Sequence, residues 1–184
     1  ASGKAFFIDV NGVDIPWEKI YLPEMLALKF LKIWCTNNKK LLRIAGCMGK
    51  VQGAEQTFFA NHLNGCNWEY VPKTEDYGSY ELLDRAEIVV GIDSTLVLES
   101  IGRGKKTAVF SCRSAVLNDA SMKFGWPAAL PDNGPFWTNG TDDLEFLRVM
   151  DYLSAVGVEE WELTRQTYAS ELMGFDPGNI QFRA

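Results

Sequence analysis

Asp93-Ser94-Thr95 is the stretch of this chain best suited to chemistry. It follows a short β-branched run, Ile88-Val89-Val90, then Gly91, and precedes Leu96-Val97-Leu98-Glu99-Ser100-Ile101, which reads as a helix. Ser94 or Thr95 can cap that helix. A helix start presents N–H groups with no intrahelical acceptor at the positive end of its dipole, so hydroxyls there suit a diphosphate or phosphodiester. The carboxyl end of a parallel strand is where such a ligand is expected. Glu99 comes four residues after Thr95, one helical turn in and on the same face. A carboxylate at that place can accept two hydrogen bonds from a ribose diol. A plain helix cap and a solvated glutamate would use the same residue types.

The second candidate is the glycine-rich loop from Gly46 to Gly53, which offers Lys50 as a counter-charge for phosphate, or as a solvated cation. It matches neither GxGxxG with a downstream acid nor GxxxxGK[ST], so a dinucleotide fold or a kinase-type phosphate loop is unsupported. His62, the single histidine, lies among apolar residues and reads as structural. No G-x-S-x-G elbow is present. No residue is assigned as catalytic. The aromatic stretches Gly125-Trp-Pro and Gly134-Pro-Phe-Trp-Thr-Asn read as a long loop that either stacks on a base or sugar, covers a partner, or packs beneath itself.

These residues need a scaffold, and the apolar pattern supplies one. Strands are expected over residues 4–10, 41–45, 68–71, 88–90 and 107–110, with a charge inside the second, Arg43, that requires a partner. Helices are expected from Pro23 to about Asn37, from Ala54 to Leu63, from Ser79 to Arg85, over the turn after Ser94, from Thr141 to about Ala155, and from Val158 to Met173. Asn11-Gly12 is a turn signal, and Pro16-Trp17 falls in a loop. Strands alternating with helices predict an α/β fold: one doubly wound, Rossmann-like, three-layer α/β/α domain over residues 1–184, with a mostly parallel sheet of five or six strands and a C-terminal helix and tail over 156–184.

Composition narrows the function. With 184 residues, 47% hydrophobic and 23% charged, the chain can bury a substantial core. A net charge of −6 without a basic stripe argues against nucleic acid as a partner. The four cysteines, Cys35, Cys47, Cys66 and Cys112, are widely spaced without CxxC and read as free thiols. No metal is expected. No apolar run approaches the roughly 20 residues of a membrane span, and no signal peptide is visible. The opening Ala1-Ser-Gly-Lys suggests a segment of something longer.

The run from Ser79 through Thr107, with its Ser94-Thr95-x-x-x-Glu99 signature, resembles the C-terminal, donor-binding half of GT-B glycosyltransferases. With Gly125-Trp-Pro and Phe136-Trp-Thr-Asn, it resembles more narrowly the transferases of bacterial surface-polysaccharide synthesis, of O-antigen or capsule type. The likeness covers roughly residues 40 to 155. It implies a sugar nucleotide as substrate with no cofactor, its phosphate at Ser94 and Thr95 and its ribose at Glu99. The loop from Val71 to Lys73 and the segment from Phe110 to Arg113 would flank the base, so the donor-binding set is Asp93, Ser94, Thr95, Glu99, Lys50, Lys73 and Arg113. Transfer would rest on positioning and electrostatic relief of the leaving phosphate. Such enzymes have a second, N-terminal acceptor half, which is missing here, so the chain alone should transfer poorly. The acidic charge and the lack of a visible export signal favour a cytoplasmic place, or one peripheral to the inner membrane through the missing part. A non-hydrolysing sugar-nucleotide epimerase and a non-catalytic interaction module are the alternatives.

Overall fold

The computed structural model describes residues 7–10, 13–46, 52–73 and 78–173. It divides into two compact units, Ala1–Arg85 and Ala86–Ala184.

In the first unit, β1 (Phe7–Val10) pairs antiparallel with β2 (Val13–Pro16), in register from Phe7↔Pro16 to Val10↔Val13. The two intervening residues are Asn-Gly, the strongest short-range hairpin signal a sequence can carry. The expected entry strand of a parallel sheet is therefore half of a hairpin. Helix α1 (Trp17–Asn37) begins six residues before Pro23, which lies inside it. Lacking an N–H, Pro23 cannot donate to the carbonyl four residues back, and the helix tolerates that one missing bond. Its inward stripe is Ala27, Leu28, Phe30, Leu31, Trp34 and Cys35, all buried at helical spacing. β3 (Leu42–Ala45) and β4 (Trp68–Val71) then pair in parallel, with α2 (Gln52–Leu63) as the crossover, and α3 (Gly78–Arg85) closes the unit. Arg43 finds its partner directly across the ladder: its Nε donates to Glu69 at 2.9 Å.

The second unit holds β5 (Val89–Gly91), α4 (Thr95–Gly102), β6 (Thr107–Phe110), α5 (Arg113–Leu117) and a 3-10 turn (Ala120–Met122). After these come β7 (Asn133–Gly134), β8 (Trp137–Thr138), α6 (Asp143–Ala155) and α7 (Val158–Met173). The sheet order is β5-β6-β8-β7, with the first three strands parallel and β7 antiparallel at the edge. Helix α4 packs on β5, β6 and α7, and α6 packs on β6 and β8. All four residues of β6 are buried, as a central parallel strand requires. Phe110 stacks on Phe146 of α6 at 4.3 Å.

Mixed α/β architecture with parallel βαβ crossovers thus holds in both units, but a single doubly wound sheet of five or six strands is not what the described residues form. Their strands fall into a two-stranded antiparallel hairpin, a two-stranded parallel pair and a four-stranded mixed sheet. Two physical features separate the expectation from the outcome. Four-residue apolar runs do not reveal whether a strand pairs parallel or antiparallel, and β7 and β8 are two residues each, too short to show any periodicity.

The aromatic side chains of the long loop are mostly interior. Phe136 and Trp137 are fully buried and meet edge to face, with Phe124, Trp161 and Tyr168 around them. The indoles of this cluster are satisfied: Trp137 Nε1 donates to the Pro131 carbonyl at 3.0 Å and Trp161 Nε1 to that of Gly104 at 2.9 Å. Of the aromatic residues in this stretch, only Trp126 turns outward.

Candidate functional site: the carboxyl ends of the parallel strands

Helix α4 begins as the sequence predicts. Ser94 is its N-cap, extended at φ −74° and ψ 139°, and its hydroxyl accepts from the Leu96 N–H at 3.3 Å. Thr95 is the first helical residue, and both side chains are exposed. The turn can come so close to the helix because residue 91 is glycine. A Cβ there would lie 2.1 Å from Cγ2 of Val97, which is buried in the first turn of α4. Behind it, the Ser100 and Thr107 hydroxyls meet at 2.8 Å in the interior and pin α4 to the start of β6. Glu99 lies one turn into α4, as expected, and is exposed.

The neighbouring strand contributes a cation. Cys112 caps α5 and Arg113 opens it, immediately after β6. Arg113 Nε donates to Oδ2 of Asp93 in an ion pair, with the arginine side chain 11% exposed and the aspartate 45%. Because β5 and β6 are adjacent parallel strands, this pair ties together the loops leaving their two carboxyl ends. Four of the expected site residues, Asp93, Ser94, Thr95 and Arg113, are thereby gathered at one rim, and Glu99 lies on the same helix. Lys73 is half-buried at the exit of β4, in the other unit. Lys50 lies outside the described residues.

The rim continues over β6 and β8. Ser111 Oγ, just past β6, donates to the Met122 carbonyl at 2.9 Å. Asn139, just past β8, accepts from the Phe124 N–H at 2.8 Å through Oδ1, and its own N–H donates to the Asp132 carbonyl. Asn139 was not among the expected residues. Followed by Gly140, it looks in sequence like one more turn asparagine, and its role as a clip between loop and strand end depends on β8.

His62 is structural, as expected. Its Nδ1 lies 2.8 Å from the Phe58 carbonyl, which can only accept, so that nitrogen carries the proton. Cys35, Cys66 and Cys112 are free thiols, while Cys47 lies outside the described residues.

The second unit is therefore an α/β unit with Asp93, Ser94, Thr95 and Arg113 at the carboxyl ends of the adjacent parallel strands β5 and β6. Over its whole length, residues 1–184, the chain matches the family described as "putative O-antigen biosynthesis protein", and it belongs to that family. The family's description associates it with O-antigen biosynthesis. No curated protein matches the chain, and no solved structure does. Among the described residues, no helix is long and apolar enough to cross a membrane.

Proposed function

We propose that this chain binds a sugar nucleotide as the donor-binding part of a glycosyltransferase in surface-polysaccharide synthesis. The observation that carries the reading is the Asp93–Arg113 pair set beside the Ser94-capped start of α4. A guanidinium and a helix N-terminus at the ends of adjacent parallel strands offer a diphosphate both charge and directed N–H groups. Glu99, one turn along the same helix, is the acceptor proposed for the ribose hydroxyls, and Thr95 adds a hydroxyl at the phosphate. Asp93 acts by holding Arg113 toward the rim. Lys50 and Lys73 belong to the first unit and are not part of the arrangement that supports this reading. The acceptor half and the catalytic base are proposed to lie in another domain or chain, and the site to sit on the cytoplasmic side.

The competing reading is a non-catalytic interaction module. It is favoured by the leucines that α6 and α7 leave exposed: Leu144 and Leu147 on one helix, Leu163 on the other. A thermal-shift titration with CMP, UDP, GDP and their sugar conjugates separates the two. A ligand that binds only the folded chain raises its apparent stability by about 2.7 kcal/mol at a hundredfold excess over Kd. A shift with one nucleotide that disappears in Arg113→Ala supports the donor site. No shift with any nucleotide overturns it in favour of the interaction module.

A further inference from the structure

Among the described tryptophan side chains, three are interior and Trp68 is half-buried. Trp34, Trp137 and Trp161 are each less than a tenth exposed, whereas Trp126 is 61% exposed. An indole left in water forgoes the burial that its large apolar area would gain. A floppy loop could explain that loss, but the loop that carries Trp126 is fastened at several points.

Ahead of Trp126, the 3-10 turn is held to the end of β6 by Ser111, and Phe124 is held to the end of β8 by Asn139. The Trp126 N–H donates to the Lys123 carbonyl at 3.1 Å, and Lys123 Nζ pairs with Asp132 at 2.7 Å across the loop. Gly125 takes a positive φ of 95° with the Leu130 side chain lying where a Cβ would be, so the bend just before the indole depends on glycine. The loop presents Trp126 at a defined place.

That place follows from the sheet order. Along β5-β6-β8, the carboxyl ends carry Asp93 and Ser94, then Arg113, then the 122–124 segment from which Trp126 projects. The Asp93–Arg113 pair stands at one end of the rim, and the exposed indole of Trp126, in the loop closed by the Lys123–Asp132 pair, belongs to the other. A nucleotide has the same polarity, with anionic phosphates at one end and a flat base at the other. We propose that Trp126 is the stacking surface for the base of the donor nucleotide, with the phosphates over β5 and β6 and the base toward β8. This rests on the donor-site reading and adds to it a direction and a contact for the base. Stacking on an indole is tolerant of base identity, so Trp126 would hold the base without choosing it.

The experiment compares the full chain with its Trp126→Ala and Trp126→Phe variants by calorimetric titration with UDP, CMP, GDP and inorganic pyrophosphate. Trp126→Ala is expected to weaken the preferred nucleotide about tenfold, the scale of one base–aromatic stack, while pyrophosphate binding stays as it was. Trp126→Phe should recover most of the loss. Circular dichroism melts of the three chains should coincide, because the side chain removed is an exposed one. If the wild type binds a nucleotide and Trp126→Ala binds it equally well, the stacking inference fails and the donor site stands. Equal binding of nucleotide and pyrophosphate by the wild type also overturns the inference, since nothing then grips the base. If the wild type binds none of the four, the donor reading itself falls, and the stacking inference with it.

Discussion

The guanidinium of Arg113, at the start of α5, is ion-paired with the carboxylate of Asp93, in the turn ahead of α4, and so joins the carboxyl ends of β5 and β6. Such a pair adds little to stability, on the order of 0–1 kcal/mol where one partner is in water. Its consequence is positional. Arg113→Ala is expected to leave the melting temperature within a few degrees of wild type while lowering affinity for pyrophosphate at least tenfold. Glu99→Ala should do the opposite with ligands: it weakens nucleotide and spares pyrophosphate, which has no ribose. Parallel calorimetric titrations with both ligands check this, and an Arg113→Ala chain that binds pyrophosphate normally would refute the assignment.

Gly91 and Val97 make the second prediction. The Cβ of an alanine at 91 would fall 2.1 Å from a methyl of Val97, a stiff β-branched side chain that is itself buried. Gly91→Ala should therefore destabilise the chain by about 1–3 kcal/mol, the usual range for overpacking. Val97→Ala in the same chain removes the obstructing methyls, so the double variant should lose less than the sum of the two singles. Urea unfolding of the four chains gives the coupling, and strict additivity would show that the turn relieves the clash by moving.

What the sequence made legible here was local. Ser94 as cap, the helix running from near Thr141 to Ala155, the partner demanded by Arg43 and the structural role of His62 all depend on a few neighbouring residues, and the structure places them as expected. What escaped was pairing at a distance. The Asn11-Gly12 signal was visible, yet whether Phe7–Val10 joined a hairpin or a parallel sheet hinged on the strand after it. Phe136 and Trp137 left stacking on a ligand, covering a partner and packing inward all open, and the pairing of β8 with β6 selects the last. In the site, Asp93 and Arg113 could each be singled out from their elements. Their contact could not, because it requires that β5 and β6 be neighbours.

The interior of the second unit makes a sharp contrast with its surface. Phe110 is fully buried and stacked on Phe146, so Phe110→Ala removes both apolar burial and an aromatic pair. A loss of about 3–5 kcal/mol is expected. Leu144, equally apolar but 71% exposed at the start of α6, should change stability by less than about 0.5 kcal/mol when replaced by alanine. Denaturant melts of the two variants test the pair together. A large loss for Leu144→Ala would mean that this face is covered in solution.

The last prediction concerns Cys35, on the buried stripe of α1. Burial, and next the negative charge that Cys66 would bring, push its thiol up to about 11 from an ordinary 9.0, against a smaller opposing pull from Lys40. Only the thiolate is a good nucleophile, so Cys35 should resist iodoacetamide at pH 8 in the folded chain and react once urea unfolds it. Cys66, half-buried in the same unit, should be labelled first. The linkage has a definite sign. The folded state holds the Cys35 proton more tightly than the unfolded state, so the stability it contributes is intact below pH 9 and is lost as pH rises from about 9 toward 11. Replacing Cys35 by alanine should flatten the stability curve over that alkaline window and leave its slope at neutral pH alone. Peptide mapping after alkylation reads the first outcome and melts between pH 7 and 11 the second. Labelling of Cys35 at the rate of Cys66 in the native chain would mean that α1 opens readily enough to expose its inner face.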